Sequence, residues 1–137
     1  MKRLLVVIAM VGMVASVFAD GPRIERRKPL SANVGVVSVG LDTYWKQCPG
    51  LLDDMVKKED VFVRKLENRQ VKVTRFGMSD NPIAAHAMIP AMKAADLDVL
   101  FVDMVTYATS STFAPFVREL NVPIVLFCLQ PDDRLDY

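Results

Sequence analysis

Apolar positions along the chain fall into two patterns, near-continuous runs of strand length and runs with helical spacing. Val34, Val36, Val37 and Val39 make 34–40 a β-branched run, the pattern of a strand covered on both faces. Residues 97–104 and 122–128 repeat that pattern and predict two more buried strands, the fourth and last strand of the chain being 122–128. Between the first two runs, Pro49 and Gly50 open a helix that reaches about residue 68. Its apolar pairs Leu51/Leu52, Met55/Val56 and Phe62/Val63 recur with Leu66 at helical spacing, and Lys57, Lys58, Glu59 and Asp60 fill the polar gap. Residues 70–76 alternate polar and apolar and predict an edge strand, with 77–81 as the turn that follows. Asn81 is placed to cap a helix over 82–96 with Pro82 in its first position. Pro90 lies inside that helix and predicts a kink or a split. A hydroxyl-rich loop, 105–112, leads to a helix over 113–120, where Pro115 is tolerated in the first turn.

The resulting β-α-β-α-β-α-β order predicts an α/β fold. It is a three-layer, doubly wound, flavodoxin/Rossmann-like parallel sheet with strand order 2-1-3-4. With no helix after the fourth strand, the domain reads as truncated. At 137 residues the chain has room for one such domain. Ahead of it, residues 1–19 carry basic Lys2 and Arg3, an apolar stretch and Val17-Phe18-Ala19, which together predict a secretory signal cleaved after Ala19. The apolar stretch is shorter than a spanning helix needs, so membrane contact is expected only through this signal, and the chain is expected to be exported. Residues 20–32, with two prolines and a basic cluster, read as a solvated linker, leaving 33–137 as the domain.

Charge excludes one class of partner. The net charge of +1 becomes −1 once Lys2 and Arg3 leave with the signal, and a near-neutral domain gives no electrostatic case for nucleic acid. Cys48 and Cys128 are too few and too far apart for a disulfide scaffold or a zinc site; a single bridge between them is left open. The first strand is followed by LDTYWKQCPG rather than a glycine-rich dinucleotide fingerprint. The chain also has no P-loop and no G-x-S-x-G elbow. His86, the only histidine, has no Cys or acidic residue at helical ligand spacing and reads as filler.

In doubly wound sheets ligands bind beyond the carboxyl ends of the strands. Three loops would meet there: 42–45, 106–112 and 130–133. They offer carboxylates, hydroxyls, an amide and aromatic faces, a mixture that suits a polyhydroxylated ligand. Each also has a plainer reading. Thr109, Ser110, Ser111 and Thr112 suit a helix cap, Tyr44 and Trp45 suit packing on the next helix, and Asp132, Asp133 and Asp136 suit a solvated surface.

The segments VGVVSVGLDTYWKQCPGLLD, DLDVLFVDMVTYATSST and VPIVLFCLQP together resemble the N-terminal domain of the L-fucose isomerase and L-arabinose isomerase superfamily, closest to its L-fucose isomerase-like branch. The resemblance spans 33–131 and implies metal-dependent aldose–ketose isomerisation in a complete, homo-oligomeric enzyme, with manganese or another divalent metal. By resemblance Asp42, Tyr44, Trp45, Thr106, Tyr107 and Gln130 are substrate-proximal and position a pentose or deoxyhexose. No catalytic residue and no metal ligand or other cofactor is expected in this chain itself, because the family's metal ligands lie in later domains. The family alone implies a cytoplasmic protein, against the export that the signal implies. The alternative is a stand-alone exported module that binds a sugar or another small molecule.

Overall fold

The computed structural model describes residues 31–129 apart from 68 and 70. The signal, nearly all of the linker, Gln130 and the acidic residues after it lie outside the described residues. The described elements are strand β1 (Asn33–Val39), helices α1 (Asp42–Gln47) and α2 (Leu51–Glu67), strand β2 (Lys72–Ser79), helix α3 (Pro82–Ala94), strand β3 (Val99–Met104), a 3₁₀ turn (Ser110–Thr112), helix α4 (Ala114–Glu119) and strand β4 (Ile124–Phe127). Every strand pair is parallel and the order is β2-β1-β3-β4, the predicted topology.

The run of valines in β1 has a direct cause. Val37 and Val39 pack into a core with Leu100 and Val102 of β3, Ala85, Ile89 and Met92 of α3, and Phe116 of α4. Val34 and Val36 point the other way, onto Val63 of α2 with Phe62 and Leu66 beside it. A strand apolar on both faces is stable only with helices on both, and β1 has them. The helix cap also forms as expected: the Asn81 side chain accepts the Ala84 N–H at 2.9 Å, and Pro82 follows it.

Four local expectations need correction. Residues 42–47 form helix α1 rather than a loop, with Asp42 in the first turn and Lys46 in the last, both favourable to the helix dipole. Strand β2 does not end before Gly77; it continues to Ser79. Phe76 and Gly77 together oppose Val37, a bulge that Gly77 accommodates at φ +83°. Helix α3 is continuous through Pro90, because the carbonyl left without a donor belongs to His86, and both residues lie on the solvent side where water serves. Strand β4 is not buried. It has four residues and is paired only with β3 among the described residues, and Leu126 is 55% exposed. Hydrophobicity reports what a strand can bury, not its rank in the sheet.

Candidate functional site at the carboxyl ends of β1 and β3

The chain leaves β1 toward α2 on one face of the sheet and leaves β3 toward α4 on the other. Between strands whose connections diverge in this way a crevice opens at their carboxyl ends. Four of the residues on its β1 side are Asp42, Thr43, Tyr44 and Trp45 in the first turns of α1; on its β3 side are Thr106, Tyr107 and the hydroxyls of Thr109, Ser110 and Ser111.

Asp80, which the sequence reading did not single out, fastens the β1 side. Its backbone carbonyl accepts the Asp42 N–H at 3.1 Å, one carboxylate oxygen accepts the Trp45 indole N–H at 2.8 Å, and the other accepts the Asn81 amide at 2.9 Å. The Trp45 ring lies directly over Gly40: a β-carbon there would sit 2.8 Å from the ring and 3.2 Å from Thr106 Oγ1. Gly40 therefore lets the two sides of the crevice meet. Trp45 is half-buried and its polar edge is committed to Asp80, so packing takes much of what it offers. Asp42 is exposed, bonded only weakly to Thr43 at 3.3 Å, and the Tyr107 ring is 69% exposed. Thr106 Oγ1 donates to the Tyr107 carbonyl at 3.0 Å, and the Thr109 and Ser111 hydroxyls lie 2.8 Å apart. The cap reading of 109–112 takes a different form. Thr112 is buried and donates to the Thr109 carbonyl at 2.7 Å, closing the 3₁₀ turn, while α4 has no side-chain cap.

Because the chain has a single tryptophan, the packing at Gly40 can be read directly. Gly40→Val drives a branched side chain into the Trp45 ring. We expect it to cost about 1–3 kcal/mol, the usual range for overpacking, and to shift Trp45 emission toward longer wavelength in the folded state. Urea unfolding followed by fluorescence checks both; an unchanged midpoint and spectrum would mean that the contact is slack.

Beneath the crevice, on the α2 face of the sheet, lies a polar group in an otherwise apolar layer. Glu59 of α2 is only 3% exposed. The Ser38 hydroxyl donates to one of its oxygens; Arg75 of β2 donates to the other through Nε at 2.9 Å and through a second nitrogen at 2.7 Å. Arg75 also pairs with Asp60. Burial works to lower the pKa of Arg75, yet its hydrogen bonds to Glu59 and Asp60 outweigh that and hold it above its ordinary value. Asp103 of β3 lies directly beside Ser38 in the strand register and is 1% exposed. Among the described residues neither of its carboxylate oxygens has a hydrogen-bond partner. Burial lifts its pKa to about 6. The Leu129 backbone opposes this from a position short of a full hydrogen bond, Glu59 adds to it and Lys58 subtracts. The sequence signal for this group was a polar residue interrupting each of two apolar runs, Ser38 in one and Asp103 in the other.

Among the described residues no three His, Cys, Asp or Glu side chains gather to hold a metal ion. His86 is exposed near Glu119, and Cys48 and Cys128 are both free and exposed. A groove of about 360 Å³ lined by Val117, Val122, Ile124 and Leu126 lies beside β4, away from the crevice, and one of about 260 Å³ lies along α2 and β2. Among the described residues no helix is long and apolar enough to cross a membrane. No family model matches this chain, and no curated protein and no solved structure shows significant similarity to it.

Proposed function

We propose that the chain binds a pentose or deoxyhexose at the β1/β3 crevice, as a module like the N-terminal domain of the L-fucose and L-arabinose isomerases. It supplies substrate-positioning loops and oligomer contacts rather than the proton transfer. The observation that carries this reading is the meeting of Trp45 and Thr106 at Gly40, at the carboxyl ends of β1 and β3 in a 2-1-3-4 parallel sheet. A sugar ring needs acceptors and donors for its hydroxyls and a flat apolar surface for its C–H face. Asp42 supplies acceptors, Thr106 and Tyr107 supply hydroxyls, and the exposed Tyr107 ring supplies the surface.

A ligand that binds only the native state raises its stability by RT ln(1 + [L]/Kd), about 2.7 kcal/mol at a hundredfold excess over Kd. Thermal melts with a panel of pentoses and deoxyhexoses, L-fucose and L-arabinose among them, should therefore show an upward shift with at least one sugar. That shift should vanish in Asp42→Ala and Tyr107→Ala while their ligand-free melts stay close to wild type. A panel without any shift at high concentration removes the proposal. Aldose–ketose conversion by this chain alone, with manganese added, would overturn the division between positioning here and chemistry elsewhere.

A further inference from the structure

The carboxyl group of Asp103 is closed to solvent at both oxygens, and among the described residues neither oxygen has a hydrogen-bond partner. Its neighbours explain why none is to hand. Ser38, beside it on β1, gives its hydroxyl proton to Glu59, and Glu59 is held by Arg75 from β2. Helix α2 presents Glu59 and Lys58 to this region, β1 presents only Ser38, and β4 presents Phe127, the register partner of Asp103 and the last residue of that strand. Beyond Phe127, the Leu129 backbone approaches. Ser38 Oγ still has a lone pair. It can accept a hydrogen bond from a neutral Asp103 and, with its own proton given to Glu59, can offer none to an ionised one.

We propose that Asp103 is a proton-operated latch on the end of β4: neutral, it stays buried and β4 lies closed on β3; ionised, the segment from Phe127 to Leu129 opens and lets water reach the carboxylate. β4 is the part that yields because it is the shortest strand, paired along one edge only among the described residues, whereas β1 is bonded on both sides. Three rings hold it shut, with Phe127 centred 4.5 Å from Phe62 and 6.1 Å from Phe101. The latch needs no ligand and stands apart from the sugar-binding reading.

The sign follows from linkage. Asp103 holds its proton more tightly folded, at about 6, than unfolded, at about 3.9. The folded state is therefore favoured at low pH and loses ground as pH rises from about 4 to 6. The loss is roughly a hundredfold in the folding equilibrium, constant above that window.

The test is amide hydrogen exchange of the full chain from pH 4.5 to 8, corrected for intrinsic rates. Carbon-13 carboxyl NMR of Asp103 accompanies it, and both are repeated on Asp103→Asn. Wild type should show protection across 126–129 falling as pH rises from 4.5 to about 6 and staying level above it. Asp103→Asn should keep that protection constant and melt higher than wild type above pH 6. A carboxyl that titrates at the ordinary value near 4, or wild-type protection that does not change with pH, overturns the latch. So does a pH-dependent loss in Asp103→Asn equal to that of wild type. If Asp103→Asn does not fold, the two wild-type measurements still decide.

Discussion

Replacing Arg75 by Met is expected to remove about 3 kcal/mol of stability, and adding Glu59→Met to it should restore most of that loss. The asymmetry comes from what each change leaves behind. In Arg75→Met, Glu59 remains beneath α2 at 3% exposure, keeping the Ser38 hydroxyl but losing the guanidinium that meets its charge. Breaking a buried ion pair from one side costs about 3–5 kcal/mol, because the surviving charge has lost its compensation. The lower end applies here, since the Arg75 side chain is 40% exposed and water can enter in its place. In the double variant no charge is stranded, and an apolar side chain joins Val34, Val36 and Val63 in the layer already there. Urea midpoints of wild type, single and double variants, converted with a common slope, measure both effects. Equal midpoints for Arg75→Met and wild type would show that Glu59 needs no partner.

The same pair marks a boundary of what the sequence reveals. The helix over 51–67 was legible from its apolar spacing, and in that pattern Glu59 belongs to the polar gap between two apolar stretches. Its burial depends on Arg75 and Ser38, which stand under the helix only after the sheet has formed; no local pattern encodes them. Asp103 behaves likewise. One charge inside an apolar strand is visible, but whether a donor faces it depends on β1, α2 and β4 together. The β-α alternation and the strand order were legible because they rest on chain-length and chirality constraints that every parallel sheet obeys. The crevice was half legible. Asp42, Tyr44, Trp45, Thr106 and Tyr107 followed from position after a strand, whereas Asp80 enters through the bulge at Gly77, where β2 runs three residues beyond its apparent end and sets Asp80 against α1.

Phe116→Ala is the substitution expected to cost most, about 3–5 kcal/mol. Phe116 is fully buried and is the largest side chain with no exposure among the described residues. It joins α4 to the core built on Val37, Val39, Leu100 and Val102. A helix of six residues cannot hold itself in water, so α4 exists because Pro115, Phe116 and Leu120 are anchored. Truncation removes the ring's transfer free energy and leaves a cavity that a short helix, tied at both ends, can close only in part. The cost is comparable to the whole stability of a marginal domain. It also reaches the crevice. The 3₁₀ turn ahead of α4 is fastened by Ser79, whose hydroxyl donates to the Thr112 carbonyl at 2.7 Å, and by the Thr112 N–H to the Thr109 carbonyl at 3.0 Å. When α4 loosens, these bonds carry residues 106–111 with it, and Thr106 loses its place against Gly40 and Trp45. Val117→Ala, next in sequence but on the exposed side of the same helix, should change stability by less than about 0.5 kcal/mol. Circular dichroism melts of the two variants separate anchoring by Phe116 from helix propensity. If both melt together, the helix is held by something other than its buried ring, and the crevice does not depend on this core.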